Sequence, residues 1–136
     1  MERIRELLAS ISTMTLATAD LQGNPHAASV YFVAVDNEGC WKFYFFSDQQ
    51  SQHSNHIDQN PKTAAAIYPE CQGWRDIKGL QLRGETYWVK SDTEWDSAWR
   101  HYQDKFRFVR SMKTIVAQNR LYVFTPNWIR LLDNSQ

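Results

Sequence analysis

Apolar positions along this chain recur mostly at a period of two, in short runs separated by turn-forming clusters, the signature of half-buried β-strands. The N-terminus is the exception. Ile4, Leu7, Leu8 and Ile11 keep helical spacing and predict a short amphipathic helix that caps one end of the core. Thr13–Ala19 (TMTLATA) alternates as a first strand, and Asp20-Leu21-Gln22-Gly23-Asn24-Pro25 supplies turn chemistry. His26–Val35 (HAASVYFVAV) reads as a second strand, ended by Asp36-Asn37-Glu38-Gly39. Trp41–Ser47 (WKFYFFS) reads as a third, almost wholly aromatic, so the pair predicts a hairpin.

Ser51–Gln59 is polar apart from Ile57 and predicts a short exposed helix, stopped at Asn60-Pro61 because proline disfavours helical geometry in the residue before it. Thr63–Tyr68 is a strand of small side chains, suited to close approach by another element. After a loop at Pro69–Gly79 comes Leu80–Val89, in which Gly84 marks a bulge or corner. Ser91-Asp92-Thr93-Glu94 matches a capping box and opens a helix carrying Trp95, Trp99 and Tyr102. Leu121–Thr125 and Trp128–Leu132, separated by Pro126, are the last strands. No repeat or linker divides the chain, so residues 1–136 are read as one domain, a mostly β antiparallel barrel closed to remove exposed edges.

Composition narrows the function. The formal charge is zero, with 15 basic and 15 acidic residues, so the basic footprint that nucleic-acid binding requires is missing. No apolar run approaches the roughly 20 residues that span a bilayer, and Met1–Leu8 has no signal-peptide core. Cys40 and Cys71 are too few for a disulfide framework and lack metal-site spacing, so a reduced, cytoplasmic protein is expected. Aromatics reach 14%; a sheet face rich in them on a 16.0 kDa barrel would be an apolar patch of the kind that marks an interface, which predicts a homodimer.

Standard catalytic signatures are missing: no glycine-rich phosphate loop, no nucleophile elbow, no cysteine in a nucleophile motif. His53 and His56 stand three apart and share a helix face, but no third ligand is fixed beside them, so no metal site is assigned. Asp92 and Glu94 are explained by helix capping. Residues alone therefore give a small β-barrel without an identifiable catalytic group.

The order helix, strand, Gly23-Asn24-Pro25 turn, long strand, aromatic strand, Ser51-Gln52-His53 helix, Asn60-Pro61, then Gly79-Leu80-Gln81-Leu82-Arg83-Gly84, resembles the pyridoxamine 5′-phosphate oxidase-like FMN-binding split barrels. The resemblance covers essentially the whole chain, including Ile129–Ser135. Ser51-Gln52-His53, Asp76–Gln81 and Tyr102–Phe106 look closest to small bacterial members of that superfamily. It implies a six-stranded antiparallel split barrel that pairs into a homodimer, with FMN in each interface groove. Carried over by position, Ala28, Ser29, Val30 and Tyr31 run beside the isoalloxazine ring. Phe46 and Ser47 touch ribityl and phosphate, and Ser51, Gln52 and His53 hold the phosphate at a helix N-terminus, whose unpaired N–H groups favour an anion. Gln81 points opposite to Leu80 and Leu82 in its strand, toward the groove or toward solvent.

The chain also departs from that pattern. The Arg and Lys that flank the second strand in the oxidase correspond to Ala28 and Val33 here, and its Ser-Arg-Lys helix motif corresponds to Ser51-Gln52-His53. Charge-assisted hydrogen bonds are worth roughly 1.5–3 kcal/mol each, so these losses point away from pyridoxamine phosphate oxidation itself. Lys62, Arg75, Lys78 and Arg83 are the substitutes to look for. The expected activity is an FMN-dependent oxidoreductase of unknown substrate, with no catalytic residue assigned, because the cofactor carries the redox chemistry. The alternatives are a non-enzymatic dimer binding haem through His53, His56 or His26, and deazaflavin-dependent reduction.

Overall fold

The computed structural model describes residues 2–134. Helix α1 (Glu2–Ser10) is followed by β1 (Thr13–Ala19), β2 (Pro25–Tyr31), β3 (Val33–Asn37), β4 (Cys40–Ser47), α2 (Gln52–Gln59), β5 (Lys62–Ile67) and β6 (Lys78–Trp88). Then come α3 (Asp92–Lys105), α4 (Lys113–Val116) and β7 (Arg120–Asp133), with 3-10 turns at Trp74–Asp76 and Arg107–Met112. The strands form one antiparallel sheet in the order β2-β1-β5-β6-β7-β4-β3, curled so that its two ends approach each other. The split-barrel expectation holds, with seven strands instead of six.

The strand boundaries differ from the sequence reading at two places, each with a local cause. The run His26–Val35 is broken at Phe32, whose ring is fully buried in the core. Its backbone leaves the ladder: the Phe32 N–H donates to the Ser12 carbonyl (3.1 Å), and the Phe32 carbonyl accepts from the Lys105 ammonium (2.9 Å). Conversely, Pro126 does not end a strand. Arg83 pairs with Trp128 and Gly84 with Pro126, so Asn127 is the extra residue of a bulge that lets β7 run on past a residue with no N–H to donate. Gly84 is needed there, since a Cβ would lie 2.1 Å from the Thr125 carbonyl oxygen. The β3–β4 hairpin turns through Glu38 and Gly39, both at positive φ, as a two-residue type I′ turn requires.

Two cores flank β4, which explains its nearly unbroken aromatic run. Trp41, Phe43 and Phe45 point into the barrel with Phe32, Tyr122 and Phe124, whereas Tyr44 and Phe46 meet α3 through Trp99 and Tyr102. Ser91 caps α3 as its sequence implies, accepting from the Glu94 N–H. The Glu94 carboxylate does not complete the box but accepts from the Tyr44 phenol at 2.8 Å, and burial, reinforced by this contact, raises the phenol's pKa.

Lys105, at the end of α3, ties these parts together. Its ammonium donates to the carbonyls of Leu8 (3.1 Å), Ile11 (2.6 Å) and Phe32 (2.9 Å) and sits 3.9 Å from the Phe32 ring centroid. Burial pushes its pKa down to about 8, which still leaves it charged at neutral pH. Lys105→Met removes the donor of three carbonyls at about 1 kcal/mol each. Chemical denaturation is expected to show a loss on the order of 3 kcal/mol; a loss under 1 kcal/mol would contradict this role.

Candidate functional site

Because β2 ends the sheet, one side of its backbone has no strand partner. β3 pairs only with Cys40–Tyr44, so Phe45–Ser47 extends beyond it, and there β4 comes up against β2. Helix α2 closes this seam. It is not the exposed helix its polar sequence predicts, since His53, Ser54, His56 and Ile57 are all buried. A polar helix face is tolerated inside because its groups find partners. Ser51 caps the helix, its Oγ accepting from the Ser54 N–H at 3.3 Å.

His53 Nε2 lies 2.5 Å from Ser47 Oγ on β4 and 3.3 Å from Ser51 Oγ. His56 Nδ1 shares a hydrogen bond with Thr18 Oγ1 on β1 (3.0 Å), and its Nε2 with the Gln52 amide (3.1 Å). His26, opposite Thr18 in the β1–β2 register, stacks on His53 at 6.3 Å and meets His56 edge-on at 6.0 Å. Three imidazoles and two serine hydroxyls thus converge along the inner face of α2, with Ser51 and His53 at its N-terminal end and His56 a turn further on, beside the free edge of β2. Burial, together with the charges His26 and His56 can carry, pushes the His53 pKa below its ordinary value. Among the described residues, no group of three or more His, Cys, Asp or Glu side chains is arranged to hold a metal ion.

The remaining candidates divide by strand parity. Ala28 and Val30 face the barrel interior, while Ser29 and Tyr31 face outward. Ser29, Thr15, Ala66 and Gln81 form one register row across the outer face, putting Ser29 and Gln81 roughly 14 Å apart at about 4.8 Å per strand. The neighbouring row runs Ala27, Ala17, Ala64, Arg83, Trp128. A groove of about 520 Å³ lies on this small-residue face, with Ala17 and Ala64 among its lining and Lys62, Arg83 and Glu85 beside them. Phe46 has its backbone in the seam, but its ring packs edge-on against Trp95, Trp99 and Tyr102.

Of the possible substitute cations, Lys62 and Arg83 border the groove, Arg83 lying over Trp128 at 4.2 Å. Lys78 pairs with Asp133, and Arg75 covers Trp74. The sequence pairs His53 with His56 by helical spacing, but Thr18 and His26 join them only through the register of the first hairpin. Counting back from the Asp20–Pro25 turn would have found that signal.

An antiparallel sheet split between its first and last strands, with a polar helix end in the gap, defines the split-barrel class. The family model described as pyridoxamine 5′-phosphate oxidase matches residues 1–133, and the chain belongs to that family. It is 35% identical over 88 residues to a pyridoxine/pyridoxamine 5′-phosphate oxidase of Paraburkholderia phymatum, an alignment covering 65% of this chain and 37% of that protein. The chain thus matches little more than a third of that relative's length. In fold it is similar to HutZ, the heme storage protein of Vibrio cholerae (TM-score 0.81, 18% identity, 99% of this chain and 97% of that one). It is also similar to a heme binding protein from Mycobacterium smegmatis (TM-score 0.76, 21% identity, 96% of this chain and 52% of that one).

Neutral His53 is favoured in the folded protein, so the unfolded chain binds more protons as pH falls below the imidazole's usual 6.5. The stability this contributes is present above that pH and is lost on acidification. Thermal unfolding without ligand is expected to show a melting temperature that falls from pH 7 to pH 5, less steeply in His53→Gln. Equal slopes in both proteins would contradict the assignment.

Proposed function

We propose that this protein is an FMN-binding flavoprotein that acts as a homodimer, with flavin-dependent oxidoreduction as its activity. The observation that carries the reading is the meeting of an unpartnered β2 edge with the polar N-terminal end of α2. An edge strand offers N–H and C=O groups to the rim of a planar heterocycle, and the serines and imidazoles match the acceptor oxygens of a phosphate tail. The donor set fits FMN in hydrogen-bonding type, although it holds no permanent cation. Flavin bound there supplies hydride and electron transfer. The chain's own residues bind and orient: Ser47, Ser51, Gln52 and His53 at the tail, and the β2 backbone from Ala28 to Tyr31 along the ring. Ser29 and Gln81 border the outer face.

Adding FMN at neutral pH is expected to perturb the flavin absorbance and quench its fluorescence. Ser51→Ala is expected to weaken binding about tenfold, the value of one hydrogen bond of roughly 1.4 kcal/mol. An unperturbed flavin spectrum would overturn the reading. The second reading, a haem-binding dimer, is supported by His26, which makes no hydrogen bond in the cluster, whereas His53 and His56 are both engaged. A Soret band on haem addition that disappears in His26→Ala would favour it.

The outer-face rows of Ala17, Ala27, Ala64 and Ala66, bordered by exposed Tyr31 and Trp128, support docking of a second copy, because small side chains let two sheets approach closely. Light scattering is expected to give twice the 16.0 kDa chain mass at micromolar concentration, and Ala64→Arg to give monomer with much weaker FMN binding. A monomeric wild type that binds FMN normally would exclude the interface groove.

A further inference from the structure

We infer that the histidine cluster between α2 and β2 makes recognition of a phosphate tail conditional on proton uptake: the site separates phosphorylated from unphosphorylated flavin in acid and loses that preference in mild alkali. The inference rests on the flavin reading above and adds its regulation.

The geometry is that of a proton-loaded anion grip. The rings of His53 and His56 lie 6.3 and 6.0 Å from that of His26, which faces both of the others. Each imidazole that takes a proton disfavours the next, since like charges at this spacing repel, most strongly where water is excluded. An anion placed among them reverses that effect and makes protonation favourable, so anion binding and proton uptake are thermodynamically linked. Fixed cations at these positions would give no such coupling. The chain has Gln52 and His53 in the helix motif instead, and imidazole is the side-chain type that exchanges charge within the physiological pH range.

The charged groups on the surrounding elements do not replace the histidines. After β1, Asp20 lies close enough to His56 to attract its charged form, but its carboxylate is occupied by the Asn24 and Gln22 N–H groups and the Asn24 amide. After β4, Asp48 accepts from the Gln50 N–H. On α2 itself, Asp58 is paired with Arg120 of β7 at 3.1 Å. From β6, Thr86 is bonded to Thr63. On β2 the titratable group in the cluster is His26; Tyr31, at the other end of the strand, packs against Phe106 and Phe108. Among the described residues, His53, between Ser47 and Ser51, therefore has imidazoles as its titratable neighbours and no carboxylate partner.

The test compares FMN and riboflavin, which differ by the phosphate, in fluorescence titrations between pH 8 and pH 5.5. One linked proton changes affinity up to tenfold per pH unit across its titration, so the FMN-to-riboflavin preference is expected to rise about tenfold toward acid. In a His26→Asn/His53→Asn variant the rise is expected to vanish, and in Gln52→Arg, which adds a fixed cation, FMN is expected to bind tightly with little pH dependence. Should the double variant not fold, NMR titration of the imidazole carbons in the wild type decides: FMN is expected to raise the histidine pKa values and riboflavin to leave them in place. A preference independent of pH overturns the inference and leaves the flavin reading standing. So does a rise that survives removal of both histidines, which would come from the ligand's own phosphate. Failure of both flavins to bind at every pH removes the flavin reading, and the inference with it.

Discussion

One ammonium group holds the break at which this sheet divides. Lys105 donates to the last carbonyls of α1 and its extension, at Leu8 and Ile11, and to the carbonyl of Phe32 at the step between β2 and β3. With that carbonyl turned toward Lys105 and its ring buried, Phe32 cannot continue a ladder. One long strand becomes two, and these end up at opposite margins of the same sheet. The free edge of β2 and the seam against β4 both follow from that break. Closing a sheet normally removes its edges; here an edge is kept and covered by a helix whose inner face is polar.

That covering explains why the polar residues of α2 are buried. His53 bonds to Ser47 across the seam, His56 bonds to Thr18 on the barrel wall, and His26 lies against both rings. Hydrogen bonds offset the desolvation of neutral imidazoles, whereas charged ones in the same place repel one another. The cluster is therefore a structural plug in its neutral form, and on the inference drawn above its protonated form is the anion site. These are two states of one set of side chains, and occupancy of the site changes which is favoured.

Much of the fold is legible in the sequence, and what is illegible has physical causes. Strand alternation, the capping serines, the Gly84 bulge and the aromatic third strand all follow from local rules. The break at Phe32 does not, because HAASVYFVAV alternates through it without a turn residue and the interrupting partner is more than seventy positions away. The continuation of β7 past Pro126 depends on Gly84 opposite it, another non-local fact. Helix α2 looks exposed because polarity signals solvent unless partners are known. At the site, Ser47 and Ser51 both reach His53, a contact that sequence proximity alone allows. His26 and Thr18 join them only when strand register is added, and parity sends Ser29 and Ala28 to opposite faces of one strand.

The central claim is that the seam between β2 and the end of β4 receives a phosphate-tailed planar ligand whose tail lies at the start of α2. Crystals of the protein grown with FMN at mildly acidic pH test it most directly. The account predicts electron density for the phosphate within hydrogen-bonding distance of Ser51 and His53, with the ring along the β2 edge where two copies meet. Density for the flavin elsewhere, with the imidazoles still packed against Ser47 and no ligand at the helix end, would contradict it.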